Sequence, residues 1–167
     1  MKYGTLYSYW SHEWVCDYPA VAKKVRAAGC DILEVGAPHI AAMTDAQLAE
    51  LKAAAEDNGL ILTTNIGPSK DQDLASPDPA IRKSGLDFLT GVLRAMDKIG
   101  SKSLVGAMYS FWPCDFKYTD KEAAWDTSIA EMKKLAAVAE DLGIDLCQEV
   151  LNRFEAYIMT NAAEGVE

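Results

Sequence analysis

The chain has 167 residues, half of them apolar, and its 16 Lys and Arg against 25 Asp and Glu leave a formal net charge of −9. That is chain enough for one sizeable core, and no basic run offers a track for phosphates, which argues against nucleic acid as a partner. No uninterrupted apolar stretch of about 18 residues could cross a membrane, and MKYGTLYSYW lacks the apolar run and cleavage site of a signal peptide, so a single cytoplasmic domain over residues 1–167 is expected.

The first β-rich run, GTLYSYW, predicts a strand. The aromatic and polar segment YSYWSHEW follows it where a nucleotide-binding sheet would carry a Gly-rich phosphate loop. The next pattern is a repeated joint. AAGCDILEVG, DNGLILTTNIG, KIGSKSLVGA and DLGIDLCQEV each set a Gly between a helical pattern and a short, mainly apolar run. Gly29, Gly59, Gly100 and Gly143 thus fall where a helix C-terminus needs a left-handed residue, and the runs read as strands covered on both faces.

Between these strands, Thr44 and Gln47 have capping-box spacing, and a helix is predicted after Ser76-Pro77-Asp78-Pro79 to about Lys98. A further helix is predicted to bury Trp125, Ile129, Met132, Ala136 and Ala139 on one face. Thr160-Asn161-Ala162-Ala163-Glu164 reads as another helix start, with a capping Asn and an acidic third position. Strict alternation implies parallel strands with right-handed crossovers, and the missing phosphate loop favours a (β/α)8 barrel over an open doubly wound sheet. A complete barrel takes about 250 residues, so five strands here predict an N-terminal portion that stops early.

Barrels of this kind carry their chemistry at the C-terminal strand ends. Those ends hold Tyr7, Tyr9, Trp10, His12, Glu13 and Trp14, then Glu34 and His39, Asn65 and Lys70, Ala107 to Trp112, and Glu149 to Glu155. Glu149 closes an apolar run and should lie partly dry at the barrel mouth. A metal ligand, a catalytic base and a structural ion pair are all open readings of it. Glu34 reads as a group that positions its neighbours. His12 and His39 read as loop histidines, exposed or merely hydrogen-bonded, because two cannot make a zinc site. Tyr9, Trp10, Trp14, Phe111 and Trp112 are either core or an aromatic wall for a sugar ring. Cys16, Cys30, Cys114 and Cys147 lack metal or redox spacing, and Cys30 and Cys147, inside apolar runs, are expected to pack as small hydrophobes.

YSYWSHEW, DILEVGAPHI, NIGPSK, GAMYSFWP and LCQEVLNRFE, in that order, resemble the ketose 3-epimerases, the D-allulose (D-psicose) and D-tagatose 3-epimerase family. The resemblance implies a TIM barrel of the xylose-isomerase-like type. It further implies one divalent metal, Mn2+ with Mg2+ or Co2+ as alternatives, and C3 epimerisation of small-molecule ketoses (D-fructose/D-allulose, D-tagatose/D-sorbose) through an enediolate. By the same resemblance Glu149 is a metal ligand and an acid–base group, and Glu155 bonds the sugar near the reacting carbons. Ala107, Trp112 and Trp14 line the pocket, and Leu6 stands where the family commonly has Tyr or Phe. Homo-oligomers, dimers or tetramers, are implied too. The family's other ligands, an Asp, a His and a second Glu, come from strands six to eight, so activity is expected only of the complete barrel. The alternatives are a non-catalytic partial barrel associating through open strand edges, and a related sugar isomerase.

Overall fold

Each long helix begins where a side chain can satisfy orphaned backbone N–H groups. The computed structural model describes residues 1–11, 13–14, 16–116 and 120–166. In it Asp17 accepts from the Ala20 N–H ahead of α1 (Tyr18–Ala27). A short α2 (Ala37–Ala42) follows, and the Thr44–Gln47 capping box opens α3 (Asp45–Asp57). Asp78 caps α4 (Pro79–Ile99) and Asp120 caps α5 (Lys121–Leu142). Asn161 opens the short α6 (Ala162–Val166), its side chain accepting from Glu164 N at 3.1 Å, while the Glu164 carboxylate accepts from Thr160 N. Gly29, Gly59, Gly100 and Gly143 all take positive φ, as the repeated joint requires.

The strands are β1 (Gly4–Leu6), β2 (Ile32–Gly36), β3 (Ile61–Ile66), β4 (Ser103–Gly106) and β5 (Asp145–Gln148). They form one parallel sheet in the order β1-β2-β3-β4-β5. The order never reverses, as it would in a doubly wound sheet. Across it Leu6 faces Glu34, Glu34 faces Thr63, Asn65 faces Val105, and Val105 faces Cys147. β1 is shorter than the sequence predicts, because Tyr7–Trp10 turns into one 3-10 segment.

Three expectations about burial are corrected. The strands are covered on one face only. Leu33, Val35, Leu62, Thr64, Ile66 and Leu104 are buried under the helices, whereas Ile32, Glu34, Ile61, Thr63, Asn65 and Val105 on the concave face are not. Cys147, predicted to pack as a hydrophobe, lies on that concave face and is exposed, while Cys30 is half-buried against the core. On α5 only Ala139 of the predicted face is buried. The buried stripe is Ala124, Ser128, Glu131, Leu135 and Ala139, set against α4. It tolerates Glu131 because Arg82 and Lys134 reach that carboxylate at 3.4 and 2.8 Å. Trp125, Ile129, Met132 and Ala136 instead line an apolar groove with Leu146, Ile158 and Met159.

Candidate active site

β1 to β4 each deliver a residue to one cavity of about 260 Å3 at their C-terminal ends, and Glu149 reaches it from just beyond β5. All six residues that the sequence nominated, Leu6, Trp14, Ala107, Trp112, Glu149 and Glu155, line it. Glu34, Asn65 and Val105 of the concave face form its floor.

Gly106 shapes the centre of this rim. Its φ is +139°, and a Cβ there would lie 2.0 Å from the Ile66 carbonyl oxygen, so only glycine lets β4 bend this closely against β3. Its carbonyl accepts from the Glu149 N–H at 3.0 Å, which fixes the backbone of the candidate acid–base residue. The Tyr109 hydroxyl donates to the Glu149 carbonyl at 3.1 Å, and Ser128 Oγ donates to the Tyr109 carbonyl at 2.6 Å. Burial pushes the Tyr109 phenol up to about 12, so it stays a neutral donor. Asn152 folds the following loop. Its side chain accepts from Phe154 N and its carbonyl from Glu155 N, turning Glu155 back into the cavity.

Trp112 lies over Gly67, where a Cβ would come within 2.9 Å of its ring, and its N–H donates to the Pro68 carbonyl at 2.8 Å. The neighbouring Phe111 N–H donates to the buried Asp73, as does Ala75 N. Burial raises the pKa of that carboxyl and the two N–H bonds oppose the rise. The two readings of the aromatics therefore divide. Phe111 is core at 8% exposure, Trp14 and Trp112 are 66% and 40% exposed on the cavity wall, and Tyr9 and Trp10 stack edge to face outside it.

Glu34 accepts from the Asn65 amide at 3.1 Å, a brace between β2 and β3 in keeping with the positioning role read from the sequence. Glu149 departs from expectation. It is exposed rather than partly dry, because the concave face is open above it, and it forms no ion pair among the described residues. His39 belongs to α2, not to a loop. Gly36 N donates to the Tyr18 hydroxyl, which leaves that hydroxyl's own proton for His39 Nδ1 at 2.9 Å. His39 is thus hydrogen-bonded and not a ligand candidate; His12 lies outside the described residues.

Among the described residues no group of three or more His, Cys, Asp or Glu side chains could hold a metal ion. Glu149 alone does not fit a hard divalent cation that wants about six donors. Neither the backbone organisers Gly106 and Tyr109 nor the groove beside β5 was anticipated. Gly106 carried a signal, a Gly closing an apolar run; Tyr109 carried none.

A sequentially ordered parallel sheet, wrapped by helices on one face and bearing carboxylates and aromatics at its C-terminal rim, is the architecture of a TIM barrel, present here as its first five β/α units. The xylose isomerase-like TIM barrel family model matches residues 22–167, and the chain belongs to that family. It is 45% identical over 168 residues to the D-psicose 3-epimerase of Ruminiclostridium cellulolyticum, covering all of this chain and 57% of the relative. It is 44% identical to that of Agrobacterium fabrum, over 99% of this chain and 58% of the relative. The crystal structure of the D-psicose 3-epimerase of Clostridium cellulolyticum H10 with D-tagatose superimposes with a TM-score of 0.96 at 46% identity, over 99% of this chain and 58% of that one. The chain therefore spans less than two thirds of the length of these relatives, their N-terminal portion.

Proposed function

We propose that this chain supplies one wall of a ketose 3-epimerase, and that turnover belongs to the barrel once polypeptide corresponding to the rest of the relatives completes it. The observation that carries this reading is the convergence of Glu149, Glu155, Trp14, Trp112, Ala107 and Leu6 on one cavity at the strand ends, in a chain 45% identical to a D-psicose 3-epimerase. A proton on C3 of a ketose is acidified by the C2 carbonyl beside it. Glu149 would move that proton on one face of the sugar, leaving an enediolate, and a group on the opposite face would return it to give the C3 epimer. Glu155 would hold a hydroxyl near the reacting carbons, and the Trp14 and Trp112 rings would pack on the apolar face of the sugar. A divalent metal, Mn2+ with Mg2+ or Co2+ as alternatives, would take Glu149 as this chain's donor only if the completing polypeptide brings the others.

The test is a chimaeric barrel in which residues 1–167 are followed by the remaining C-terminal portion of the Agrobacterium relative. It is expected to interconvert D-fructose and D-psicose, while the 167-residue chain alone with added Mn2+ is expected to epimerise neither D-fructose nor D-tagatose. Glu149→Gln in the chimaera should lower turnover by at least ~10³-fold with an unchanged circular dichroism spectrum. A folded chimaera without turnover, or a near-normal Glu149→Gln variant, sinks the assignment.

A second reading, self-association of the partial barrel, draws support from the two sheet edges: among the described residues β1 pairs only with β2, and β5 only with β4. It leads to homo-oligomers without any catalytic role.

A further inference from the structure

Tyr7 follows Leu6 at the end of β1 and goes the opposite way. Leu6 lines the cavity, whereas Tyr7 is buried and packs in the core. Its ring lies against Gly36 at the end of β2, where a Cβ would come within 3.2 Å of both its Cε1 and its hydroxyl oxygen. Tyr18 and His39 meet the ring edge to face at centroid distances of 5.5 and 5.3 Å. Those two are themselves joined through the Tyr18 hydroxyl. A phenol boxed in this way has one place to be.

The Tyr7 hydroxyl lies 3.2 Å from the Trp14 carbonyl oxygen. A carbonyl only accepts, so the phenol donates. Burial raises the pKa of Tyr7, which keeps the proton on it. Among the described residues this is the one hydrogen bond that Trp14 makes. Trp14 lines the cavity while 66% exposed, so little packing of its own ring holds it there. Its place on the wall is set through the backbone, from Tyr7.

This pair stands apart from the proton-transfer group. Tyr7 and Trp14 follow β1 and Glu149 follows β5, at opposite edges of the sheet. Packing of an aromatic ring on the apolar face of a sugar is made equally before and during proton transfer, so it contributes to binding and leaves turnover alone. Resting on the ketose reading of the cavity, we infer that Tyr7 is a positioning residue whose hydroxyl, by holding the Trp14 carbonyl, sets the Trp14 ring as a wall against which the sugar packs.

The experiment measures KM and kcat for D-fructose in the chimaeric barrel. Tyr7→Phe keeps the ring against Gly36, Tyr18 and His39 and removes only the donor. It should raise KM about fivefold, the loss of one neutral hydrogen bond, with kcat unchanged. Trp14→Ala keeps the backbone carbonyl and deletes the wall. It should raise KM by about fivefold or more, and adding Tyr7→Phe to it should raise KM no further. An unchanged KM in Tyr7→Phe overturns the inference, as does a fall in kcat at constant KM or full additivity of the two substitutions. An unchanged KM in Trp14→Ala overturns it without any Tyr7 variant having to fold. Each of these results leaves the ketose reading standing, because wild type turns over; a folded wild-type chimaera without turnover overturns that reading and this inference with it.

Discussion

At Gly106 a single residue type serves two neighbours. Its positive φ and the 2.0 Å approach of the Ile66 carbonyl forbid a side chain, and its own carbonyl anchors the Glu149 N–H. Gly106→Ala should therefore cost roughly 3 kcal/mol, combining backbone strain with a clash against rigid main chain. Urea denaturation of the 167-residue chain would read this as a lower midpoint at an unchanged slope; a midpoint within error of wild type would show that β4 bends without needing glycine. Much of this rim was legible in advance. Glu149, Glu155, Trp112 and Trp14 stand in contiguous motifs at strand ends, and strand ends converge by topology alone. The support behind them was not legible, since Tyr109 reaches Glu149 across 40 residues and Asp73 reaches Phe111 across 38. No local pattern encodes such contacts. The exposure of Glu149 was misjudged for a related reason, because its apolar run says that β5 packs on a helix and says nothing of what covers the other face.

Among the elements, helix starts and stops were the most readable, since capping chemistry lies within four residues of the boundary. The Thr44–Gln47 box and the four left-handed glycines formed as expected. Faces were harder. The apolar residues of α5 run in two stripes, and the one that packs on α4 includes Glu131 and Ser128, which a hydrophobic count discards. The short α2 was missed because Pro38 and His39 hide a helix shorter than two turns. That element carries a pH dependence. Burial lowers the pKa of His39 below its usual value, and its Nδ1 must remain unprotonated to accept from Tyr18. With the folded value depressed, the contribution of His39 is present above about pH 6.5, the unfolded value, and is lost as pH falls through the folded value. The stability difference between wild type and His39→Gln should therefore narrow from pH 7.5 to pH 5 in urea titrations. A difference that stays constant or widens would show that protonation does not break the Tyr18 contact.

Over the whole molecule, the barrel architecture and the five-strand portion were read correctly from the alternation and the motif order, and the family match and the TM-score of 0.96 agree. What the alternation could not reveal is that the sheet is dry on one side only. Ile61 is 41% exposed on the concave face, and Gln148 Oε1 is buried with no hydrogen-bond partner among the described residues, beside the groove on α5. Open edges at β1 and β5 add unpaired backbone groups to that surface. The 167-residue chain should therefore show an apparent mass that rises with concentration in sedimentation velocity, and a concentration-independent monomer would argue against pairing through the edges. The strand order has a further consequence, in time instead of space. Because each strand pairs with the one immediately before it in the chain, every β/α unit leaving the ribosome finds its template already made. The sheet can grow vectorially at the pace of translation, and β5 is the growing tip to which any later strand would be added.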